Sequence, residues 1–260
     1  MLALRSFLYN ILFFVGGLTL AVMLLPLLVF PRSVMQHGLK AWAWVMLNGL
    51  KPLIGLSWEI KGLENIPDKP CLFACKHQSA WETGVFYLIL NDPSYILKQE
   101  LLSIPLYGWY IRRAGAIAID RKGGVSALKK MISGTKQRLD LGQNVVIFPE
   151  GTRSFPGQPG TYHSGVAALY KGAEATVVPV ALNSGLFWPR RSFLKRPGRI
   201  TIEFLPPMEH GLDRKSFMTE LQTRVETATN QLIVEARATY PAALPPPPAQ
   251  EEHSQTDASS

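Results

Sequence analysis

Chemistry in this chain starts at Lys76-His77-Gln78-Ser79-Ala80-Trp81-Glu82-Thr83, where a histidine is followed five positions later by a carboxylate. On one continuous helix, residues five apart do not share a face. His77 and Glu82 can therefore meet only if the chain turns between them. The apolar run Cys71-Leu72-Phe73-Ala74-Cys75 reads as a buried strand ending near Lys76. Ser79 then reads as a helix N-cap, with Glu82 three residues on and the helix continuing through Val85, Phe86, Leu88 and Ile89. His77 falls in the strand-to-helix turn and Glu82 in the first helical turn, within bonding reach. Such a pair can act as a dyad. A neutral imidazole takes a proton from a hydroxyl while the carboxylate holds the other ring N–H and stabilises the cation that forms. Ser79-x-x-Glu82 is equally a capping box, which would account for Glu82 without any catalysis. A histidine before a helix can also be an ordinary surface residue. This stretch alone leaves both readings open.

Three further places combine a strand pattern with unusual residues. Gly115-Ala116-Ile117-Ala118-Ile119-Asp120-Arg121 puts an arginine just past a buried strand. Phe148-Pro149-Glu150-Gly151-Thr152-Arg153-Ser154 packs a carboxylate, a flexible glycine, a hydroxyl and an arginine into one turn. Gly151 allows close backbone approach, and Thr152 and Arg153 suit phosphate oxygens. Val178-Pro179-Val180 places a proline inside an apparent strand, which points to an edge strand or a bulge. Each also has a plain version: surface arginines, a Glu150 paired with either of them, a proline that merely ends a strand. Five scattered histidines and one Cys-x3-Cys make no metal-ligand set. Cys71 and Cys75, four residues apart on an extended strand, are separated by roughly 13 Å, too far to bridge, and read as reduced core thiols.

These residues need a scaffold. From Trp58 onward short β runs alternate with helices. Strands are expected at Trp58–Lys61, Cys71–Cys75, Ser94–Leu97, Ala116–Ile119, Asn144–Phe148, Thr176–Leu182 and Arg199–Phe204. Helices are expected at Ser126–Leu141, stopped by Gly142, at Gly165–Lys171, and at Arg214–Tyr240, with Phe217, Leu221, Val225, Ala228 and Leu232 in one stripe. The alternation predicts an α/β fold, a mixed sheet flanked by helices with sites at the strand ends. Residues 58–240 form the expected domain, and a Pro-rich tail from 241 to 260 reads as disordered.

Residues 1–57 read as a hydrophobic, membrane-anchoring helical segment. Phe7 to Phe30 carries no charge and is long enough to span the ~30 Å hydrocarbon core as a helix. It exceeds the usual apolar region of a signal peptide, and no small-residue cleavage site follows. Gly16-Gly17 and Pro26 allow another geometry, a bent or re-entrant helix in one leaflet. Arg32, Lys40 and Lys51 follow it against Arg5 before it, an excess that places the main domain on the cytoplasmic side. A second helix from His37 to Trp58, with Trp42 and Trp44, is either interfacial or packed beside the first.

Composition agrees with membrane contact. Of 260 residues 47% are hydrophobic and only 18% charged, below the usual quarter. A net charge of +8 favours anionic partners. Nucleic acid is disfavoured among them, because the basic residues are interleaved with a membrane segment and no aromatic-basic recognition motif appears.

The four motifs in this order resemble those of the membrane-associated glycerolipid acyltransferases, specifically the 1-acyl-sn-glycerol-3-phosphate acyltransferases. The family pattern runs H-x4-D, a Gly…Arg block, F-P-E-G-[T/S]-R-S, then V-P-[V/I]. The resemblance covers roughly Trp58 to Phe204, and the Phe148–Ser154 match is complete. This chain departs in having Glu82 for the aspartate and Lys76 where the residue before the histidine is often asparagine. The resemblance implies a catalytic dyad of His77 and Glu82. It implies a glycerol-phosphate site of Arg121, Glu150, Gly151, Thr152 and Arg153, with Glu150 orienting an arginine or a glycerol hydroxyl, and a pocket shaped by Pro179. Lys98 and Glu100 would support that site. The reaction implied is transfer of an acyl chain from acyl-CoA or acyl carrier protein to the 2-hydroxyl of lysophosphatidic acid, giving phosphatidic acid. No metal or cofactor is implied, since the thioester is already activated. The implied location is the lipid bilayer of a bacterial inner membrane, with the catalytic domain in the cytoplasm. The competing readings are a sister enzyme with another glycerolipid acceptor, a thioesterase that activates water, and a non-catalytic membrane protein.

Overall fold

The computed structural model describes residues 1–244; most of the expected tail, residues 245–260, lies outside them. Seven strands form one mixed sheet: β1 (Leu56–Lys61), β2 (Leu72–Cys75), β3 (Ser94–Lys98), β4 (Ile117–Ile119), β5 (Val145–Ile147), β6 (Val177–Leu182) and β7 (Gly198–Phe204). Their order is β1-β7-β6-β2-β5-β3-β4. β6, β2, β5, β3 and β4 run parallel, and β7 is antiparallel to β6 but parallel to β1. The C-terminal ends of five strands therefore line one edge of the sheet.

The central strands are apolar without alternation because both faces are covered. Phe73, Cys75, Val146, Val178 and Val180 join one core cluster, and Leu72, Ala74, Val145, Ile147 and Val177 the other. Over the first face pack α3 (Arg32–Asn48), α4 (Leu50–Ile54) and α5 (Trp81–Ile89), preceded by α1 (Leu2–Ile11) and α2 (Gly17–Met23). A short α6 (Tyr107–Arg113) lies beside them. Over the second face pack α7 (Gly124–Asp140), α8 (Gly165–Gly172) and the first half of α10 (Arg214–Thr239); a single turn, α9 (Ser184–Phe187), follows β6. Asp213 caps α10 by accepting from the Lys215 and Ser216 amides, and Gly142, at φ +79°, ends α7 as expected.

Several expectations need correction. Pro179 sits neither on an edge strand nor at a bulge: β6 lies between β7 and β2, and Pro179 is in register with Ala74. The strand tolerates it because the β7 ladder begins only at Val180. The Val177 and Pro179 carbonyls accept from the Met208 and Leu205 amides, where the chain is already leaving the sheet, so the missing N–H of Pro179 faces that departure. The apolar N-terminus is not one helix from Phe7 to Phe30. The helix runs Leu2–Met23, with a π turn at Leu12–Gly16, and tightens into a 3-10 turn around Pro26 before Pro31 starts α3. The second helix ends at Ile54, where Gly55 adopts φ +80° and β1 begins. On α10, Thr229 rather than Ala228 is buried. The tail is not free from 241: Leu244 is buried against the first core cluster, and its amide donates to the Tyr240 carbonyl.

Candidate active site

The dyad forms at the end of β2. His77 Nδ1 and Glu82 Oε1 are 2.9 Å apart. α5 begins only at Trp81, so residues 76–80 supply the turn that brings two groups five apart together. Ser79 Oγ accepts from the Trp81 amide, and Glu82 reaches back to the Ser79 amide at 2.5 Å and the Gln78 amide at 2.6 Å. The N-cap of α5 falls at Ala80, one residue past the expected Ser79, yet Glu82 still reaches back to the Ser79 amide while it meets His77. Its other oxygen accepts from Ser79 Oγ at 3.1 Å and Ser184 Oγ at 2.8 Å. Burial raises the Glu82 pKa, but the hydrogen bond and charge of His77 and the two amides outweigh it and hold it below the ordinary glutamate value. Glu82 therefore stays an anion inside the protein. An anionic carboxylate at Nδ1 favours the tautomer with its proton there, an arrangement in which Nε2 can accept one. The ring is stacked on Phe148, with centroids 4.0 Å apart at 17°. A stacked ring with one nitrogen bonded has little rotational freedom left.

The end of β5 supplies the second wall. The Ser154 amide donates to the His77 carbonyl at 2.8 Å, which staples the Phe148–Ser154 turn to the dyad turn. Gly151, at φ +61°, accepts from Arg121 Nη2 on its carbonyl at 2.8 Å. A Cβ on Gly151 would collide with that guanidinium. The close approach anticipated at this glycine is therefore made by Arg121, which the end of β4 delivers. Arg121 and Thr152 are exposed and Arg153 is half-buried, its carbonyl held by Arg190 Nη1 at 2.5 Å. Lys98 ends β3 on the same sheet edge, with Glu100 in the turn that follows, both exposed.

Two residues are not where the motif reading put them. Glu150 turns inward. Its side chain is 1% exposed and forms an ion pair with Lys76 rather than with an arginine. Pro179 lies in mid-strand, buried beneath the edge rather than on it. Two contributors escaped the sequence reading. Ser184 is distant in sequence and carries no local pattern. Lys76 looked like a mere departure from a motif, yet its position beside His77 marked it.

A model of the family described as Acyltransferase matches residues 57–183. Over 240 residues the chain is 36% identical to the 1-acyl-sn-glycerol-3-phosphate acyltransferase of Pseudomonas aeruginosa, with 90% of this chain and 91% of that one covered. The chain belongs to the 1-acyl-sn-glycerol-3-phosphate acyltransferase family. A plant relative, the 1-acyl-sn-glycerol-3-phosphate acyltransferase of Limnanthes alba, is 28% identical over 188 residues, 71% of this chain and 66% of that one. The crystal structure of the 1-acyl-sn-glycerophosphate acyltransferase from Thermotoga maritima superposes with a TM-score of 0.66 at 22% identity, covering 89% and 95% of the two chains, so the fold is shared. The matched acyltransferase segment runs from the second residue of β1 to the residue after β6, and so includes every site residue read from the sequence, with Ser184 one residue beyond it.

Proposed function

We propose that this acyltransferase moves a fatty acyl chain from a thioester donor, acyl-CoA or acyl carrier protein, to the 2-hydroxyl of 1-acyl-sn-glycerol 3-phosphate. The observation that carries the reading is the 2.9 Å His77–Glu82 contact at the sheet edge that also presents Arg121 and Arg153. His77 Nε2 takes the hydroxyl proton as the oxygen attacks the thioester carbonyl. The tetrahedral adduct collapses, the C–S bond breaks, and the imidazolium returns its proton to the leaving thiolate. Glu82, buried and anionic, stabilises the imidazolium throughout. Arg121 and Arg153, with Thr152 and the Gly151 backbone, receive the phosphate dianion of the acceptor. The thioester supplies its own activation, so the scheme needs no cofactor.

We further propose that the N-terminal helix lies in the plane of one leaflet, on the cytoplasmic face of a bacterial membrane, instead of crossing it. Its inward side is tied to the domain along its length. Ser6 Oγ donates to the Lys195 carbonyl, Tyr9 Oη to the Met46 carbonyl and Asn10 Nδ2 to the Phe193 carbonyl, and Tyr110 Oη donates to the Ala21 carbonyl. Its outward side carries Leu4, Phe7, Leu8, Ile11, Phe14, Val15, Leu18 and Val22, all exposed, at the three- and four-residue spacing of one helical face. Bonds to the domain at both ends of the helix support this placement over one that carries it away through a bilayer. An apolar face of this length is costly in water and fits the acyl boundary of a leaflet.

The test is formation of phosphatidic acid from lysophosphatidic acid with each donor in detergent micelles, comparing the parent with His77→Ala. Product from the parent and its loss in the variant support the reading. A folded parent that makes none with either donor rules out the acceptor.

A further inference from the structure

Lys76 has a buried ammonium between two carboxylates. It ion-pairs with Glu150 at the end of β5 and lies 2.6 Å from Glu226 Oε1 on α10; the side chains of Lys76 and Glu150 are each 1% exposed. Tyr162 Oη donates to the same Glu226 oxygen at 3.0 Å. An ammonium this deep is costly unless paired, so its place needs a reason beyond stability. The topology offers one. Lys76 and His77 are adjacent at the tip of β2, and each holds one end of the same turn. Lys76 grips Glu150 at the turn's root, while the His77 carbonyl accepts from the Ser154 amide at its far end. Between those two anchors lies Gly151, on whose carbonyl Arg121 rests.

We propose that Lys76 is a positioning residue: through Glu150 it clamps the 150–154 turn to β2, and so fixes the distance between the catalytic imidazole and the arginines that take the acceptor's phosphate. Glu150 then serves as the clamp's counter-charge, not as a group that meets substrate. Burial holds the Glu150 pKa above the ordinary glutamate value, and Lys76, with a smaller contribution from the Ser154 hydroxyl, offsets this only in part. The kinetic part of the inference rests on the acceptor reading above; the structural part does not.

Three variants of the full chain test it. Lys76→Met leaves Glu150 and Glu226 without their shared cation and carries a risk of misfolding. Lys76→Met/Glu150→Gln also removes the more deeply buried of those two charges, leaves Glu226 with the Tyr162 hydroxyl, and has no clamp. Glu226→Gln keeps the Lys76–Glu150 pair and loosens only α10. The readouts are hydrogen exchange over residues 149–154 and the KM for each substrate. The expected result is faster exchange in the double variant with a roughly tenfold higher KM for lysophosphatidic acid and an unchanged donor KM, a loss of about 1.4 kcal/mol per tenfold. Glu226→Gln should leave all three near the parent. If Glu226→Gln behaves like the double variant, Lys76 merely anchors α10 and the proposal is overturned. It is equally overturned if the double variant loses thermal stability with no change in exchange or in either KM. If exchange changes as expected while the parent makes no phosphatidic acid, the clamp stands and the acceptor assignment falls.

Discussion

Ser184 Oγ donates to Glu82 Oε2 at 2.8 Å, joining residues 102 apart in sequence, and both side chains are fully buried. Ser184 opens α9 just past β6, and the neighbouring Gly185 amide donates to Gln78 Oε1 at 3.0 Å. The end of β6 thus braces the back of the dyad. A hydrogen bond to a charged group is worth about 1.5–3 kcal/mol. Ser184→Ala should therefore lower kcat by roughly ten- to a hundredfold by that figure, with little change in either KM. Steady-state kinetics with both substrates varied would check this; an unchanged kcat would mean that Glu82 needs no brace.

Glu82 itself accepts from the Gln78 and Ser79 amides, two hydroxyls and His77. Glu82→Gln keeps the size but replaces one acceptor oxygen with a donor facing other donors. Activity and melting temperature should fall together. By contrast, His77→Ala should lose ~10²–10⁴-fold in rate and leave the melting temperature much closer to the parent, because His77 is partly exposed and Glu82 retains its other four donors. The pair of measurements separates base from orienter. Equal melting temperatures for the two variants would refute the division of labour.

Gly151→Ala forces a Cβ into the Arg121 guanidinium and a side chain onto φ +61°. Arg121 must leave the Gly151 carbonyl. The acceptor KM should rise by about tenfold while the donor KM holds, since only one substrate carries its phosphate here. A parallel rise in the donor KM would place Arg121 in the thioester site.

How much of this was legible follows a physical line. The β runs were readable because strands buried on both faces are plainly apolar, as in Cys71–Cys75 and Thr176–Leu182. The His77–Glu82 contact was readable because Ser-x-x-Glu at a helix start draws the carboxylate back over the turn, even though the cap itself falls at Ala80 and not Ser79. Pro179 misled because strand order is a tertiary fact. A missing N–H marks an edge only if a neighbour would otherwise need it, and here the neighbour departs at Leu205. Glu150 misled for a similar reason: its partner Lys76 is 74 residues earlier, and nothing local says that a glutamate among Gly, Thr and Arg turns inward. Ser184 and Glu226 had no local mark at all.

In-plane anchoring has its own consequence. Phe14→Ser/Leu18→Ser/Val22→Ser changes positions on the exposed outward face of the helix. The triple variant should remain folded and lose co-flotation with phosphatidylethanolamine–phosphatidylglycerol vesicles, which the parent should show. With single cysteines at Leu4 and Met23 in a background lacking Cys71 and Cys75, an impermeant thiol reagent outside vesicles that bind the protein externally should reach both ends from the same side. Labelling of only one end would mean that the helix crosses the bilayer.

Lys195 ties that helix to the domain. Its ammonium meets Asn10 Oδ1, the Ser192 and Phe193 carbonyls and the face of Trp188, all neutral partners, and it is 3% exposed. Burial lowers its pKa from 10.5 to about 8. The sign follows from proton counts. Between about pH 8 and 10.5 the unfolded chain binds the proton that the folded one has released, so stability from this group rises with pH across that window and is flat below it. Lys195→Met has no such proton to release. The melting temperature of the parent, measured against that of Lys195→Met at each pH, should therefore climb from pH 8 to pH 10 and hold level between pH 6 and pH 7. A difference that stays constant across the whole range would mean that the ammonium is solvated, and that the helix is held by Ser6, Tyr9 and Asn10 without it.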